Sequence, residues 1–271
     1  MSKLQISTEK LQTIQKLRGK IRRTETCSRN DDGTVISSGC EAIDKLLPSN
    51  GYNRGTIIEW FAEPGSAAEL FSLTAAGNAA NDGGALVIVD PHGHFYPPAA
   101  HAIGIHLSNL IILKRGTQKT QANDFLWAID QSLRCNAVAA VWGQLPEFET
   151  TTQANHWQRR FQLSAESSGC CGMFVKNQSK PSAPSWAEIQ WQLRPLANQK
   201  RFGDTRHIRA SLVRCRGAVT GKHIDLKINT ITGNVQQVQR EHATRKNTAA
   251  YSLPLAAELA NPKTRRRAAR A

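Results

Sequence analysis

One stretch constrains the fold more than any other, the segment Gly55 to Leu73, GTIIEWFAEPGSAAELFSL. Its apolar, β-branched beginning predicts a buried strand over Thr56–Phe61, and its small residues predict a tight loop over Ala62–Ala67. A helix is expected to follow and to run on to about Asn81. In an α/β chain, a first strand, a short loop and a helix N-terminus form the usual cradle for phosphate groups. The stretch therefore predicts the geometry of a nucleotide site.

The loop lacks the side chains that such a cradle needs. Phosphate binding of this kind uses glycines for close backbone approach, a lysine on the phosphates and Ser or Thr on Mg²⁺. No lysine lies within reach, and Glu63 and Glu69 would repel phosphate. We therefore expect a degenerate phosphate loop with no bound cofactor and no catalytic residue. Its residues are Ala62, Gly65, Ser66, Ala67, Ala68 and Glu69.

The pattern of the chain changes in its last third. Apolar runs such as Ala85–Asp90 and Ala137–Trp142 predict strands that are buried on both faces of a parallel sheet. Further on, apolar and polar residues alternate, which predicts antiparallel strands with one solvated face. These alternating segments are Ala187–Leu193, Ile208–Arg216 and His223–Asn229. The fold class is therefore α/β, with a mixed, mostly parallel sheet and an antiparallel flank.

Helices are expected between the predicted strands. The last of them, roughly Gln153–Ala165, carries Trp157 and Phe161 one turn apart, a spacing that favours a core pair. The other predicted helices are Glu41–Leu47, Ala99–Ile103 and Gln121–Arg134.

The sequence divides into three segments. Residues 1–33 hold a basic helix and a polar linker, residues 34–233 hold the core domain, and residues 234–271 form a basic tail that we expect to be disordered in isolation. The N-terminal helix, Thr8–Arg23, is amphipathic, and its apolar stripe predicts docking against a partner or the core. The stripe consists of Leu11, Ile14, Leu17 and Ile21.

The formal net charge of +14 is concentrated in three places. Residues 1–25, 194–223 and 260–271 carry net charges of +5, +7 and +5, so the rest of the chain is mildly acidic. Such segregation indicates a polyanionic partner such as nucleic acid, although charge runs are also typical of solvated faces. Base stacking is not indicated, because Phe202 is the lone aromatic residue of the middle segment. The candidate DNA or partner contacts are Arg209, Arg214, Arg216, Lys222, Lys263, Arg265, Arg266, Arg267 and Arg270.

Metal and membrane chemistry are not expected. The six cysteines show no metal-binding spacing and are expected to be reduced thiols. Asp90, His92 and His94 lie together after a predicted strand, but they lack a further ligand, so a solvated loop is favoured over a metal or acid–base site. No apolar run approaches the length of a membrane span. We expect a cytoplasmic, nucleoid-associated protein.

The order of these motifs resembles the RecA family of recombination ATPases. The resemblance covers about residues 34–229 and implies a RecA-like core of the P-loop type. The segments that carry it are VISSGCEAIDKLL, GTIIEWFAEPGS, VIVDPHGHFYP, GIHLSNLIIL, HIRASLVRCRG and HIDLKIN.

The sequence departs from the family at the positions that perform its chemistry. Ala68 stands where the family has its phosphate-binding Lys, and Glu69 stands where it has its Mg²⁺-binding Thr. His92 stands at about the position of the Glu that activates the attacking water. Trp142 or Gly143 replaces the second acidic residue. The resemblance thus implies a nucleotide site that has lost its function.

A RecA-like core with these losses and basic terminal segments resembles the ImuA family of the bacterial SOS mutagenesis cassette. That resemblance implies a non-catalytic adaptor in error-prone translesion DNA synthesis. The implied partners are an ImuB-like Y-family protein and an error-prone C-family DNA polymerase, with RecA and DNA as further candidates. Two other functions stay open: a SulA-like inhibitor of cell division, which the long basic tail argues against, and a working RecA-like DNA-dependent ATPase, which the missing lysine argues against.

Overall fold

The structure, a computed structural model, describes most of the central part of the chain. The described residues are 35–114, 122–145, 148, 150–177, 185–196, 204–229 and 233–238. The chain divides into two units, residues 1–238 and 239–271, and all described residues belong to the first. The predicted N-terminal helix with its apolar stripe and the basic end of the tail lie outside the described residues.

Strands and helices alternate along the first two thirds of the described chain, and strands dominate the last third. The strands are β1 Val35–Ile36, β2 Tyr52–Asn53, β3 Ile57–Ala62, β4 Ala85–Asp90, β5 Leu110–Lys114, β6 Val138–Gln144, β7 Cys171–Lys176, β8 Ile189–Pro195, β9 Thr205–Cys215, β10 His223–Asn229 and β11 Val235–Gln237. The helices are α1 Glu41–Asp44, α2 Ala68–Asn81, α3 Pro97–Ala102, α4 Ala122–Arg134 and α5 Thr151–Ser168, and a 3₁₀ turn spans Leu107–Asn109. The main predicted elements are confirmed, with shifts at their ends.

One large sheet organises the fold. Its strands lie in the order β11-β10-β9-β8-β3-β7-β6-β4-β5. The strands from β8 to β5 run parallel to one another, while β9, β10 and β11 pair in antiparallel fashion. The prediction of a mixed, mostly parallel sheet with an antiparallel flank is confirmed. The flank extends to Gln237, four residues into the part of the chain that we assigned to the tail.

Strand β8 differs from the prediction of an antiparallel strand with one solvated face. It runs parallel to β3 on one side and antiparallel to β9 on the other. Both of its faces are buried over residues 189–193, including Gln190 and Gln192. The amide of Gln190 donates to the Glu59 carboxylate at 2.9 Å, and Lys176 pairs with the same carboxylate at 2.6 Å. The polar residues of the alternating pattern in β8 are therefore buried and form hydrogen bonds inside the fold.

Two hydrophobic cores cover the two faces of the sheet. The first contains helix α2 together with the segment β1–α1–β2, whose two strands form a small antiparallel sheet of their own. The buried face of α2 consists largely of alanines, whose side chains are short. A Cβ on Gly77 of this helix would lie 2.6 Å from the Ile105 side chain. The second core contains helices α4 and α5. Close packing of α2 on the sheet therefore depends on its small residues.

Helices α4 and α5 are joined through one buried carboxylate. Asp130 is fully buried and accepts hydrogen bonds from Arg160 at 2.6 Å, from Ser164 at 2.9 Å and from Arg134 at 3.1 Å. A buried charge needs such partners, because desolvation without them would be costly. The Asp130 cluster therefore fixes α5 against α4.

The predicted core pair on α5 is confirmed. The rings of Trp157 and Phe161 lie 5.9 Å apart, and Phe161 is buried against Phe174 at 6.1 Å. Among the helices of the described chain, none is both long and apolar enough to cross a membrane.

Candidate functional site

The loop between β3 and α2 has the tight geometry that the sequence predicts. The amide of Ser66 donates to the carbonyl of Glu63 at 3.0 Å, and Gly65 adopts a φ of +79°. Ala67 precedes the helix with a left-handed φ of +58°, which an alanine adopts only at some cost. No side chain caps this end of α2. The first amides of the helix therefore face the loop without a side-chain acceptor.

The side chains of the loop differ from the Lys and the Ser or Thr that a phosphate-binding loop uses. Ala68 is fully buried in the first core, so its methyl group packs inward. Glu69 is exposed at the start of the helix, where a Mg²⁺-binding hydroxyl would be needed. The hydroxyl of Ser66 is buried and has no hydrogen-bond partner within the described structure.

A cation from a distant strand reaches this loop. The Nη1 atom of Arg206, in β9, lies 3.9 Å from the point where a Cβ on Gly65 would stand. The sequence places Arg206 in the basic middle segment but does not link it to this loop, because nothing local connects β9 with a loop some 140 residues earlier in the chain. The loop is thus bordered by a guanidinium group, although it lacks a lysine.

The carboxylate of Asp90, at the end of β4, accepts hydrogen bonds from backbone amides. The carboxylate of Asp90 accepts the amides of His94 at 2.8 Å and Phe95 at 2.9 Å. The rings of His92 and His94 are exposed and stack at 5.6 Å. In the ranges that the structure describes, no three His, Cys, Asp or Glu side chains form a cluster suited to a metal. The arrangement favours a solvated turn over a metal or acid–base site.

At the end of β6, the sequence left Trp142 and Gly143 as the two possible positions of the family's second acidic residue. Position 143 has no room for an acidic side chain. A Cβ on Gly143 would lie 2.3 Å from the carbonyl oxygen of Val89, and its φ is +151°. The indole of Trp142 instead donates to the Ser72 hydroxyl at 2.8 Å and so ties β6 to α2. A carboxylate at position 143 is therefore excluded by backbone packing.

The arginines of β9 that the sequence suggested as contacts are already engaged with other residues of the core. A β-bulge in β9 places Arg214 opposite Gln190, so that Arg209 and Arg214 point to the same side of the sheet, while Arg216 lies one residue beyond the end of β9. Arg209 forms a bidentate pair with Asp225 at 2.7 and 2.9 Å, and this pairing raises the pKa of its guanidinium.

The other candidate contacts differ in their surroundings. Arg214 donates to the carbonyl of Ser185 at 2.6 Å, and Arg216 lies 3.9 Å from Glu188. Lys222 is exposed. The candidate contacts of the tail lie outside the described residues. They are Lys263, Arg265, Arg266, Arg267 and Arg270.

The structure brings an aromatic side chain to the basic strand. Trp186 lies just after the end of a segment that is not described, and its neighbour Ser185 accepts the hydrogen bond from Arg214. The guanidinium carbon of Arg159 lies 4.6 Å from the Trp186 ring centroid. Phe202, the aromatic residue considered from the sequence, lies outside the described residues.

The buried cysteines are unreactive by their surroundings. Cys170 and Cys171 are fully buried, and burial raises the pKa of both thiols. Cys135 is exposed. All five described cysteines are free thiols, in keeping with the absence of metal-binding spacing in the sequence.

Comparisons with known proteins place these features in a family. The profile of the RecA N-terminal domain matches residues 5–146, so the match begins inside the basic N-terminal segment. Protein RecA of Acholeplasma laidlawii is 32% identical over 126 residues, which are 45% of this chain and 38% of the relative. Protein RecA of Francisella tularensis subsp. novicida is 32% identical over 130 residues, 46% of this chain and 36% of the relative.

The matched region thus spans little more than a third of these relatives. A crystal structure of the RadB recombinase shares the fold, with a TM-score of 0.58 and 15% identity. The superposition covers 75% of this chain and all of that structure.

Proposed function

Because the chain belongs to the RecA N-terminal domain family, we propose that it is a RecA-like adaptor that does not hydrolyse ATP. It acts in SOS-induced, error-prone translesion synthesis and brings a mutagenic polymerase and its partner protein to damaged DNA. The proposed partners are an ImuB-like Y-family protein and an error-prone C-family DNA polymerase. RecA and DNA are further proposed contacts.

The observation that carries the proposal is the state of the phosphate loop. The fold keeps the strand, the turn and the helix N-terminus, and the resemblance to the RecA family puts Ala68 and Glu69 at the positions of the Lys and Thr on which phosphate and Mg²⁺ binding depend. Phosphoryl transfer relies on positioned cations and metal ions, so the loss of both removes most of its catalysis. Gly143 also has no space for a carboxylate. A RecA-like fold without the groups of phosphoryl transfer supports a role in binding other molecules.

The basic segments support nucleic acid or acidic proteins as the partners. Lys and Arg side chains gain affinity for nucleic acid through the release of counterions, and flexible basic tails suit reversible contacts. An adaptor of this kind holds its partners without changing them, which agrees with a core that has lost its catalytic groups.

Recovery of the protein with its partners after DNA damage is the direct test. We expect an affinity-tagged full chain, purified from damaged cells of its own host, to carry the Y-family and C-family proteins in stoichiometric amounts. A deletion of the basic end of the tail serves as the matched control and should lose them. Recovery of a filament-forming division GTPase in their place would favour the SulA-like function and would contradict the adaptor role.

A second candidate, a nucleotide-binding recombinase, is favoured by one observation. Arg206 borders the phosphate loop, and the Ser66 hydroxyl, which is buried in that loop, has no partner within the described structure. A guanidinium group and uncapped helix amides can together hold an anion. Calorimetric titration with ATP and Mg²⁺, on the wild-type chain and on Arg206→Ala, separates this candidate from the adaptor.

A further inference from the structure

The antiparallel flank of the sheet has one face that is packed in the core and one that is not. Alternate residues of β9 and β10 belong to the first core. They are Ile208, Ala210, Leu212, Ile224, Leu226 and Ile228. The second core, as far as the structure describes it, includes no residue of β9 or β10. Among the described elements, α5 therefore covers the centre of the sheet but leaves the flank open on the same side.

The strand register brings basic side chains together on this open face, which consists of Arg194, His207, Arg209, Asp225 and Lys227. Arg194 of β8 lies directly opposite Arg209 of β9, and Lys227 of β10 lies opposite His207. Opposite residues, and residues two apart in one strand, share a face of the sheet. The carboxylate of Asp225 pairs with Arg209, whereas Arg194 and Lys227 are exposed. The open face therefore presents an excess of positive charge.

A tryptophan is held between the open face and helix α5. Trp186 is 41% exposed, and its backbone amide donates to the side-chain oxygen of Gln158 at 3.4 Å. The guanidinium carbon of Arg159 lies over the ring, 4.6 Å from its centroid. From the flank, Arg214 donates to the carbonyl of the preceding residue, Ser185, at 2.6 Å. Contacts from both sides thus fix an apolar side chain whose ring is covered by Arg159 on one face.

The charges and the tryptophan together match an acidic segment of a protein. Carboxylates pair with guanidinium and ammonium groups, and complementary charge orients a partner as it docks. Tryptophan and arginine are also the residues that most often anchor protein interfaces. A phosphate backbone crossing the open face would meet the carboxylate of Asp225, which a protein segment avoids by placing a polar or apolar residue there.

We propose that the open face, with Trp186 at its margin, docks an acidic segment of a partner protein that carries an apolar side chain. Carboxylates of the segment pair with Arg194 and Lys227, and its apolar side chain packs against Trp186. The inference rests on the proposed function, because it gives the adaptor a surface that holds one of its protein partners.

Two fluorescein-labelled peptides test the contact with Trp186. Each consists of about ten glutamates, long enough to cross the flank when extended, and they differ in a central leucine or serine. Fluorescence anisotropy is recorded with the full chain at about 0.1 M salt, where charges act over about 10 Å. The leucine peptide should bind roughly 3- to 10-fold more tightly, because part of its side chain leaves water. Trp186→Ala should abolish this preference, whereas Trp127→Ala, at another exposed tryptophan on α4, should keep it.

A double charge reversal tests the open face itself. Arg194→Glu with Lys227→Glu should weaken both peptides roughly 5- to 30-fold and leave the preference for leucine in place. The matched control is Lys45→Glu with Lys114→Glu, which makes the same change in net charge at exposed residues beside α1 and on the far edge strand β5. It should change the affinity less than about twofold, because contacts by the basic terminal segments are the same in all variants. Circular dichroism and urea unfolding show that each variant is folded, and Lys227→Gln gives a smaller loss in the same direction.

Three results would overturn the docking surface. The first is equal loss of affinity in the open-face variant and its control, which would reduce the effect to net charge. The second is a leucine preference that is absent from the wild type or survives in Trp186→Ala. The third is tighter binding of an oligothymidylate with the same dependence on Trp186 and Lys227, which would assign the surface to nucleic acid. None of them bears on recovery of the polymerase partners by the wild-type chain, and loss of that recovery would leave peptide binding by the open face standing.

Discussion

Replacement of Asp130 by alanine is expected to loosen the contact between helices α4 and α5. The Asp130 carboxylate is fully buried and accepts hydrogen bonds from Arg160, Ser164 and Arg134. Alanine removes the acceptor and leaves two guanidinium groups beside a small void. Helix α5 also carries Arg159, whose guanidinium carbon lies 4.6 Å from the Trp186 ring centroid, so this contact should loosen as well.

The magnitude follows from how buried each partner is. Removing one member of a buried ion pair costs about 3–5 kcal/mol when the other charge stays out of water. Here Arg134 is 53% exposed and Arg160 is 34% exposed, so both keep part of their hydration and the cost falls to about 2 kcal/mol. Loss of the acceptor of the Ser164 hydroxyl adds about 1 kcal/mol. We therefore expect a loss of about 3 kcal/mol in the free energy of unfolding.

Urea unfolding followed by circular dichroism measures this loss. The midpoint should fall at an unchanged m value, and the melting temperature should drop by about 6–12 °C. The control Arg134→Ala removes a half-exposed partner and should cost less than about 1 kcal/mol. A loss below about 1 kcal/mol for Asp130→Ala would refute the argument that this carboxylate holds α5 in place.

Three further predictions concern backbone packing, ionisation and the tail. Gly143→Asp should give little folded protein on expression, because its Cβ would meet a carbonyl of β4, whereas Gly93→Asn, with a φ of +73° and open space, should melt within a few degrees of wild type. Burial raises the pKa values of Cys170 and Cys171 in the folded chain, so these thiols ionise first in the unfolded chain. The free energy of unfolding, measured by urea titration, should therefore fall above about pH 9, by up to about 1.4 kcal/mol per pH unit for each thiol. Cys170→Ala should make this pH dependence less steep. Deletion of Asn261–Ala271 should leave the melting temperature of the core nearly unchanged while lowering damage-induced mutagenesis; a destabilised core would contradict a separable tail.

The parts of the fold that local sequence determines could be predicted. The strand, loop and helix around Gly65 follow from an apolar run, a cluster of small residues and an alanine-rich segment. The buried strands β4 and β6 follow in the same way from unbroken apolar runs. These signals lie within the elements that they specify, so the rest of the chain does not need to be known.

The remaining features depend on contacts between distant segments. The alternation in β8 predicts a solvated face, but the strand lies between β3 and β9, and Gln190 finds its partner on β3. Arg206 reaches the phosphate loop and Trp186 meets Arg159 only because the sheet order brings them together. A sequence pattern indicates whether a segment is a helix or a strand but not which segments pack against it, so such pairs are found only in the folded structure.

The central claim is that this RecA-family core has given up nucleotide turnover, and its most direct test is titration of the full chain with ATP and Mg²⁺. Calorimetry gives the affinity, and release of phosphate, with and without single-stranded DNA, gives the turnover. With Ala68 and Glu69 in the loop, we predict neither binding heat nor phosphate release above the level of an Arg206→Ala control. Micromolar binding together with turnover that the control abolishes would contradict the account.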